Sequence, residues 1–564
     1  MKIHRKLVVC LFAFAMMLSA CSTTSTAQIT DNGDAVLKNT NFDSLESRTK
    51  KKVASMVETV YSTDYSNAVK ENIDNLKNKK DYTEDDMLII HDPYGTNNLS
   101  LYVYFKTDKV VQVSYTIQAN DTSDFNETVE KSTKKTHEFT VIGLIPNTTN
   151  TITFTLTDAI GKKTTKTVKY KMRKKLGVEE TNLQVTADNE TQSLSNGLYA
   201  ILGNDSDDQD FVYYYDNNGT LRGETPIVGY RAHRLLFRNG LMYYSISETK
   251  IAAVNSLGQV KKIIHTGNYE LHHDYCFDDD GNLFVLGSKE GGSYSDSNSE
   301  DLILRIDPDK DKILQVIDLG EILGDYKATT HKGFTTNQEG VLGLDWMHIN
   351  AIQWLGNNTV ILSSRETSSI LKISNLIGDS PNIDYIIGQQ NFWDATYGDK
   401  VLTQVDTFPN TGGQHSVTIE YDDSLPDGQY YLYMFNNNYG VSATQDYDWT
   451  QIDGIYTTSM SQMTAEEIAN ASSYYYKYLV DENAGTYELV KSFAVPYSSF
   501  ISSVQEIGDT IVVDSGGQGI FSEYTQDGTL LKQFKMKMNK YMIYRVYKYD
   551  FDGFYCKRQI NPCR

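Results

Sequence analysis

Four of the ten histidines in this 564-residue chain open segments of one kind. His233 opens HRLLFRNGLMYYSIS, His273 opens HDYCFDDDGNLFVLGS, His348 opens HINAIQWLGNNTVILSSR and His415 opens HSVTIEYDDSLPDGQYYLYMF. Ser502 opens SSVQEIGDTIVVDSG in the same phase without a histidine. Each segment reads as strand, turn, strand, with hairpin signals at Asn239-Gly240, Asp280-Gly281 and Asp427-Gly428. From 233 to 273 is 40 residues, from 273 to 348 is 75, and from 348 to 415 is 67. The first interval is one blade of a repeat architecture; the others are a blade plus an inserted loop. In such a ring, equivalent positions converge on one axis. Histidines in phase therefore meet in space although they lie far apart in the chain. His233 is read as a structural residue; His273, His348 and His415 are the candidates for chemistry.

Two further residues say what chemistry. Arg365 ends the strand pair of the His348 unit, in Ser363-Ser364-Arg365. A guanidinium facing a channel keeps its charge and calls for an anion. Asn350 lies two residues from His348, on the same side of a strand. Histidines, an amide and an arginine suit a tetrahedral oxyanion such as sulfate or phosphate. Three histidines would also make a zinc site, but a guanidinium beside them repels a dication. No metal and no cofactor is expected.

The elements that hold these residues are mainly β. With a segment opening near Leu198 the repeats make six units, so a six-bladed β-propeller is expected over residues 190–555, its last strand near Tyr541 to Tyr549 returning to close the first blade. Residues 440–472 interrupt the fifth unit; Thr464 with Glu467 forms a capping-box pattern, so a short helix is expected there, at a propeller face over the site. Upstream, residues 90–175 alternate apolar and polar positions, as in Leu101, Val103, Phe105 and Val111, Val113, Tyr115, Ile117. This resembles a fibronectin-type sandwich, with the GLxPxT stretch from Gly143 to Thr148. Residues 43–85 read as helical, with Val53, Met56, Val57 and Val60 at helical spacing and Val69, Ile73 and Leu76 continuing it.

The N-terminus reads as an address. Lys2, Arg5 and Lys6 precede an apolar run from Leu7 to Leu18, and Leu18-Ser19-Ala20-Cys21 resembles a bacterial lipobox with Cys21 as the lipidated residue. Residues 1–20 are then a lipoprotein signal peptide, and 21–42 a flexible tether. The protein is expected to be exported and held on a membrane surface, not through it. Its net charge is −21, and loss of Lys2, Arg5 and Lys6 takes that to −24. Such a charge, with no basic stripe, excludes a nucleic-acid partner. Cys276 reads as a buried strand residue. Cys556 and Cys563 either close a small loop or stay as thiols. A homodimer is compatible with the sequence, which does not fix the oligomeric state.

The segments resemble the bacterial arylsulfate sulfotransferases, the type that uses a phenyl sulfate donor and no activated nucleotide sulfate. The matching pieces are His272-His273-Asp274 with DDDGNLFVLG, Asp345-Trp346-Met347-His348-Ile349-Asn350 with Ile361 to Arg365, and Gly413-Gln414-His415-Ser416-Val417 with Leu432 to Asn437. The resemblance implies an aryl sulfate donor, a phenolic acceptor and His415 as the nucleophile that accepts the sulfuryl group. It implies that His273, His348, Asn350 and Arg365 hold the sulfuryl oxygens and the departing phenolic oxygen. Some relatives carry a cysteine pair shortly before the nucleophile; this chain has no cysteine between Cys276 and Cys556. Two other readings compete: a metal-dependent propeller lyase or hydrolase, and a non-catalytic surface lipoprotein whose propeller binds a ligand.

Overall fold

The computed structural model describes residues 24–26, 30–31, 57–129, 133–177, 183–189, 191–203, 210–289, 301–333, 344–538 and 542–556. The expected signal segment 1–20, Cys21, most of the expected tether, the first part of 43–85 and Cys563 lie outside the described residues. Within 21–42, read as a flexible tether, Thr24–Thr26 and Thr30–Asp31 instead form short parallel strands on Lys163–Lys171 and Leu88–His91. The edges of an open sheet offer unpaired backbone groups, and threonine suits an extended chain.

The expected helix is Thr63–Lys77, started by the Ser62 hydroxyl, which accepts from the Tyr65 amide, and it buries Val69, Ile73 and Leu76. The sandwich follows from Leu88 to Lys171. Its longest strand, Leu101–Gln118, pairs with Leu88–His91 and Lys134–Val141 through its first half and with Thr149–Asp158 through its second. Val103, Phe105, Val113, Tyr115 and Ile117 point into one core, and the alternation read from the sequence holds from Val111 on; over 101–105 both faces are buried, because Tyr102 and Tyr104 pack on the helix residues Val69, Ile73 and Leu76.

The described residues beyond the sandwich form a β-propeller, with six successive sheets among them, each of four or five strands. Their inner strands are Val546–Tyr549, Leu236–Arg238, Tyr269–Phe277, Ile349–Gly356, His415–Glu420 and Ser503–Ile507. Val546–Tyr549 comes from the end of the chain and pairs with Leu198–Leu202, as the sequence suggests. A second closure was not read from the sequence. Gln184–Asp188, before the first sheet, adds the outermost strand to the last one, on Leu530–Lys535. Between first and last sheets, Lys548 Nζ donates to Glu523 Oε2 at 2.7 Å with both side chains fully buried, and Tyr199 and Thr510 donate to the same carboxyl.

Near or within five inner strands a non-glycine residue is left-handed: His233, His273, His348 and Ser416, with φ of 50°, 53°, 49° and 59°, and the adjacent pair Ile501 and Ser502, with φ of 50° and 86°. Strand pairing slips beside three of them, between Leu271 and Tyr275, Ile349 and Ala351, and His415 and Thr418. Such a bulge turns one side chain out of the sheet and toward the axis. Each left-handed residue costs about 1–2 kcal/mol, so the kink persists only because the surrounding sheets hold it. This corrects the phase of the fifth unit: the residue equivalent to His273 and His348 is Ser416, and His415 stands one position earlier.

Candidate active site

His415 is 2% exposed and held through one ring nitrogen. Its Nδ1 lies 2.7 Å from Asn437 Oδ1 and 2.9 Å from the Gly413 carbonyl. The Asn437 amide nitrogen donates to the carbonyls of Ser498 and Ile501, so its oxygen faces the histidine. Two acceptors at Nδ1 place the proton there and leave the lone pair on Nε2. Burial, then the positive potential of His273, lowers the His415 pKa well below 6.5; the Asn437 contact opposes them, and His348 and Arg365 add to the lowering. The ring is neutral, with its lone pair available.

The other imidazoles meet each other. His273 Nε2 and His348 Nε2 are 3.0 Å apart. His348 Nδ1 is 2.5 Å from Asp345 Oδ2, and Arg365 Nη1 is 3.2 Å from His348 Nε2. Arginine can only donate, so His348 Nε2 accepts and its proton sits on Nδ1, toward Asp345. The proton between the two Nε2 atoms therefore belongs to His273. Its other nitrogen, Nδ1, accepts from the Tyr544 hydroxyl at 2.8 Å. Burial raises the Tyr544 pKa and keeps that proton in place. Asp345 Oδ2 also receives Arg365 Nη2 at 3.2 Å, so one carboxyl oxygen aligns the histidine and the arginine together. Glu366 holds Arg365 from the other side, through Nε at 3.1 Å and Nη2 at 2.5 Å.

His348 is thus in direct contact with both His273 and Arg365, and all three lower the His415 pKa. It is His273, not its neighbour His272, that touches His348. Asn350 is fully buried, and its amide donates to the Gln414 carbonyl at 2.8 Å, against the backbone that carries His415. His233 is also fully buried, packed edge-on to Tyr544, with its pKa lowered well below 6.5 by burial and by Arg545. Sequence reasoning gave no part to Asp345, Asn437, Tyr544 or Glu366. The spacing of three between Asp345 and His348 was a readable signal. Asn437 and Tyr544 are 22 and 271 residues from their partners and gave none.

Among the described residues no three histidine, cysteine, aspartate or glutamate groups are placed to hold a metal. Arg365 Nη1, 3.2 Å from His348 Nε2, is a fixed N–H donor beside the imidazoles, aimed by the carboxyls of Asp345 and Glu366. The arrangement is a nitrogen nucleophile beside fixed N–H donors, which suits transfer of a group carrying several anionic oxygens.

Residues 183–553 match the family model described as Arylsulfotransferase (ASST), and residues 88–173 match the one described as Arylsulfotransferase Ig-like domain. No curated protein matches the chain. Among solved structures it is similar to the periplasmic gluconolactonase PpgL of Pseudomonas aeruginosa, at 9% identity over 62% of this chain and 98% of that one, with a TM-score of 0.35. It is also similar to BamB of Moraxella catarrhalis, at 10% identity over 66% and 95% with a TM-score of 0.30, and to a protein of unknown function from Bacteroides caccae, at 11% over 62% and 98% with a TM-score of 0.34.

Proposed function

Since the chain belongs to the arylsulfotransferase family, an aryl-sulfate sulfotransferase family, we propose that it works in two half-reactions through a sulfohistidine at His415. The observation that carries this is the tautomer of His415, with Nδ1 held by Asn437 and Gly413 and the lone pair on Nε2. In the first half-reaction His415 Nε2 attacks the sulfur of a phenolic sulfate ester while the bond from sulfur to the aryl oxygen breaks. The phenolate leaves with the electrons of that bond, and the His273 Nε2–H meets its charge. The sulfuryl oxygens take donors from Arg365, and the sulfated ring keeps its Nδ1 proton on Asn437. A phenolic acceptor, as its phenolate, runs the same steps in reverse. Asn350 acts through the Gln414 carbonyl, fixing the backbone from which His415 projects.

This scheme predicts ping-pong kinetics. Incubation with 4-nitrophenyl sulfate, with and without a phenol, tests it. Parallel double-reciprocal plots are expected, and intersecting ones contradict two separate half-reactions. On the lipobox sequence we also read the protein as exported and anchored on a membrane surface through Cys21.

A further inference from the structure

Glu366 stands next to Arg365 in the chain but faces two ways. It is 1% exposed. One carboxyl oxygen, Oε1, receives Arg365 Nε at 3.1 Å and Nη2 at 2.5 Å. The other, Oε2, receives the Ala443 backbone N–H at 2.6 Å. The Glu366 carbonyl accepts from the Ser442 hydroxyl, which in turn receives the Trp449 indole N–H at 3.2 Å. Ser442, Ala443 and Trp449 belong to residues 440–449, at the start of the insertion in the fifth unit.

This segment is a strap laid across neighbouring parts of the propeller. The Thr444 carbonyl receives the His331 N–H at 3.0 Å, and the Gln445 amide donates to Thr329 at 2.6 Å, both before the fourth sheet. Trp449 packs its ring on Phe392, beyond the fourth sheet. The strap therefore has its own anchorage away from the catalytic groups, and it meets Arg365's partner Glu366 at both the buried carboxyl and the backbone carbonyl. An arginine side chain loses many rotamers when it is fixed, and its guanidinium is effective only when its fork is already aimed.

We propose that Glu366 is a positioning residue that ties the Arg365 guanidinium to the strap of residues 440–449, so that the seating of the strap sets how Arg365 meets the sulfuryl oxygens. The inference rests on Arg365 serving as a sulfuryl donor, and it assigns the strap a part in turnover although none of its residues need touch the transferred group. Burial raises the pKa of Glu366 while Arg365 opposes that shift, as for a carboxyl whose charge depends on its arginine.

The test uses Glu366→Gln and Ser442→Ala in the full chain, each checked for an unchanged thermal midpoint. The first reading is the rate at which phenylglyoxal modifies Arg365, mapped by peptide mass spectrometry; it needs no turnover. It is expected to rise severalfold in Glu366→Gln and by less in Ser442→Ala. The second reading is kinetics with 4-nitrophenyl sulfate. In Glu366→Gln kcat is expected to fall on the order of 10–100-fold, as for a misplaced catalytic group, with KM changing much less. Ser442→Ala, which leaves the Glu366–Arg365 pair intact, should lower kcat in the same sense. Wild-type behaviour of Ser442→Ala in both readings overturns the link to the strap, and an unchanged modification rate in both variants overturns the clasp. If Glu366→Gln does not fold, Ser442→Ala decides alone. If the wild type itself cleaves no aryl sulfate, the functional reading fails while the modification rates still judge the clasp.

Discussion

Asn437 Oδ1 sits 2.7 Å from His415 Nδ1, and the other end of the same amide is fixed by the carbonyls of Ser498 and Ile501. The amide cannot flip without losing two hydrogen bonds, so it sets the tautomer of the histidine. Because burial and the neighbouring His273 lower the His415 pKa well below 6.5, its neutral form persists as pH falls through 6.5. The rate of donor cleavage should therefore stay level from neutral pH through 6.5 and fall only well below it. Asn437→Asp places a carboxylate against Nδ1, which favours the imidazolium and raises the pKa. The acid limb of kcat/KM should then move to higher pH. A wild-type limb centred at or above 6.5, or one that Asn437→Asp leaves in place, contradicts this.

Asp345 aligns two groups at once, His348 through Nδ1 and Arg365 through Nη2. Removing its charge should disturb both. Asp345→Asn is expected to lower kcat by about 10²-fold, similar to the loss of one oxyanion donor. Arg365→Ala should do at least as much. In the double variant the effects should combine to less than their product, since both act on one aligned unit. A fully multiplicative loss would mean that the two residues act independently.

Much of this site is visible in the one-dimensional chain. The repeated strand–turn–strand units bring His273 and His348 together, and the strand around Val546 closes the first sheet. What is not visible is the fine placement. The left-handed kink falls on Ser416, one residue after His415, because bulges shift register locally and leave no signature in residue type. Asn350 is expected to share a strand face with His348, but the pairing slips between Ile349 and Ala351 and the Asn350 amide is held by the Gln414 carbonyl; simple alternation does not survive a bulge and names no partner. Gln184–Asp188 lies beyond the expected repeats and joins the last sheet only because the ring brings the two ends of the domain together.

The seam between the first and last sheets makes a claim about stability. Lys548 and Glu523 are both fully buried and paired at 2.7 Å, and burial brings the lysine pKa down to about 8. Glu523→Gln removes the counter-charge, so the buried lysine must either give up its proton or stay charged and unpaired; breaking comparable pairs costs about 3–5 kcal/mol. Thermal unfolding should show a clearly lower midpoint, with turnover at moderate temperature largely kept. An unchanged midpoint would show that the seam does not hold the ring closed.

Anchoring is tested at the other end of the chain. The run Leu18-Ser19-Ala20-Cys21 predicts that Cys21→Ser blocks processing or moves the protein out of the membrane fraction. A variant that fractionates and migrates like the wild type removes the lipid anchor from the account.

The most direct measurement is the mass of the enzyme caught between half-reactions. After exposure to 4-nitrophenyl sulfate without acceptor, intact-mass analysis should show one added sulfuryl group. Peptide mapping, kept away from low pH because the bond from nitrogen to sulfur is acid-labile, should place it on His415, and a phenol should then discharge it. His415→Ala should take up none and cleave no donor. An adduct on His273 or His348, or donor turnover with no adduct at any time, would contradict the sulfohistidine.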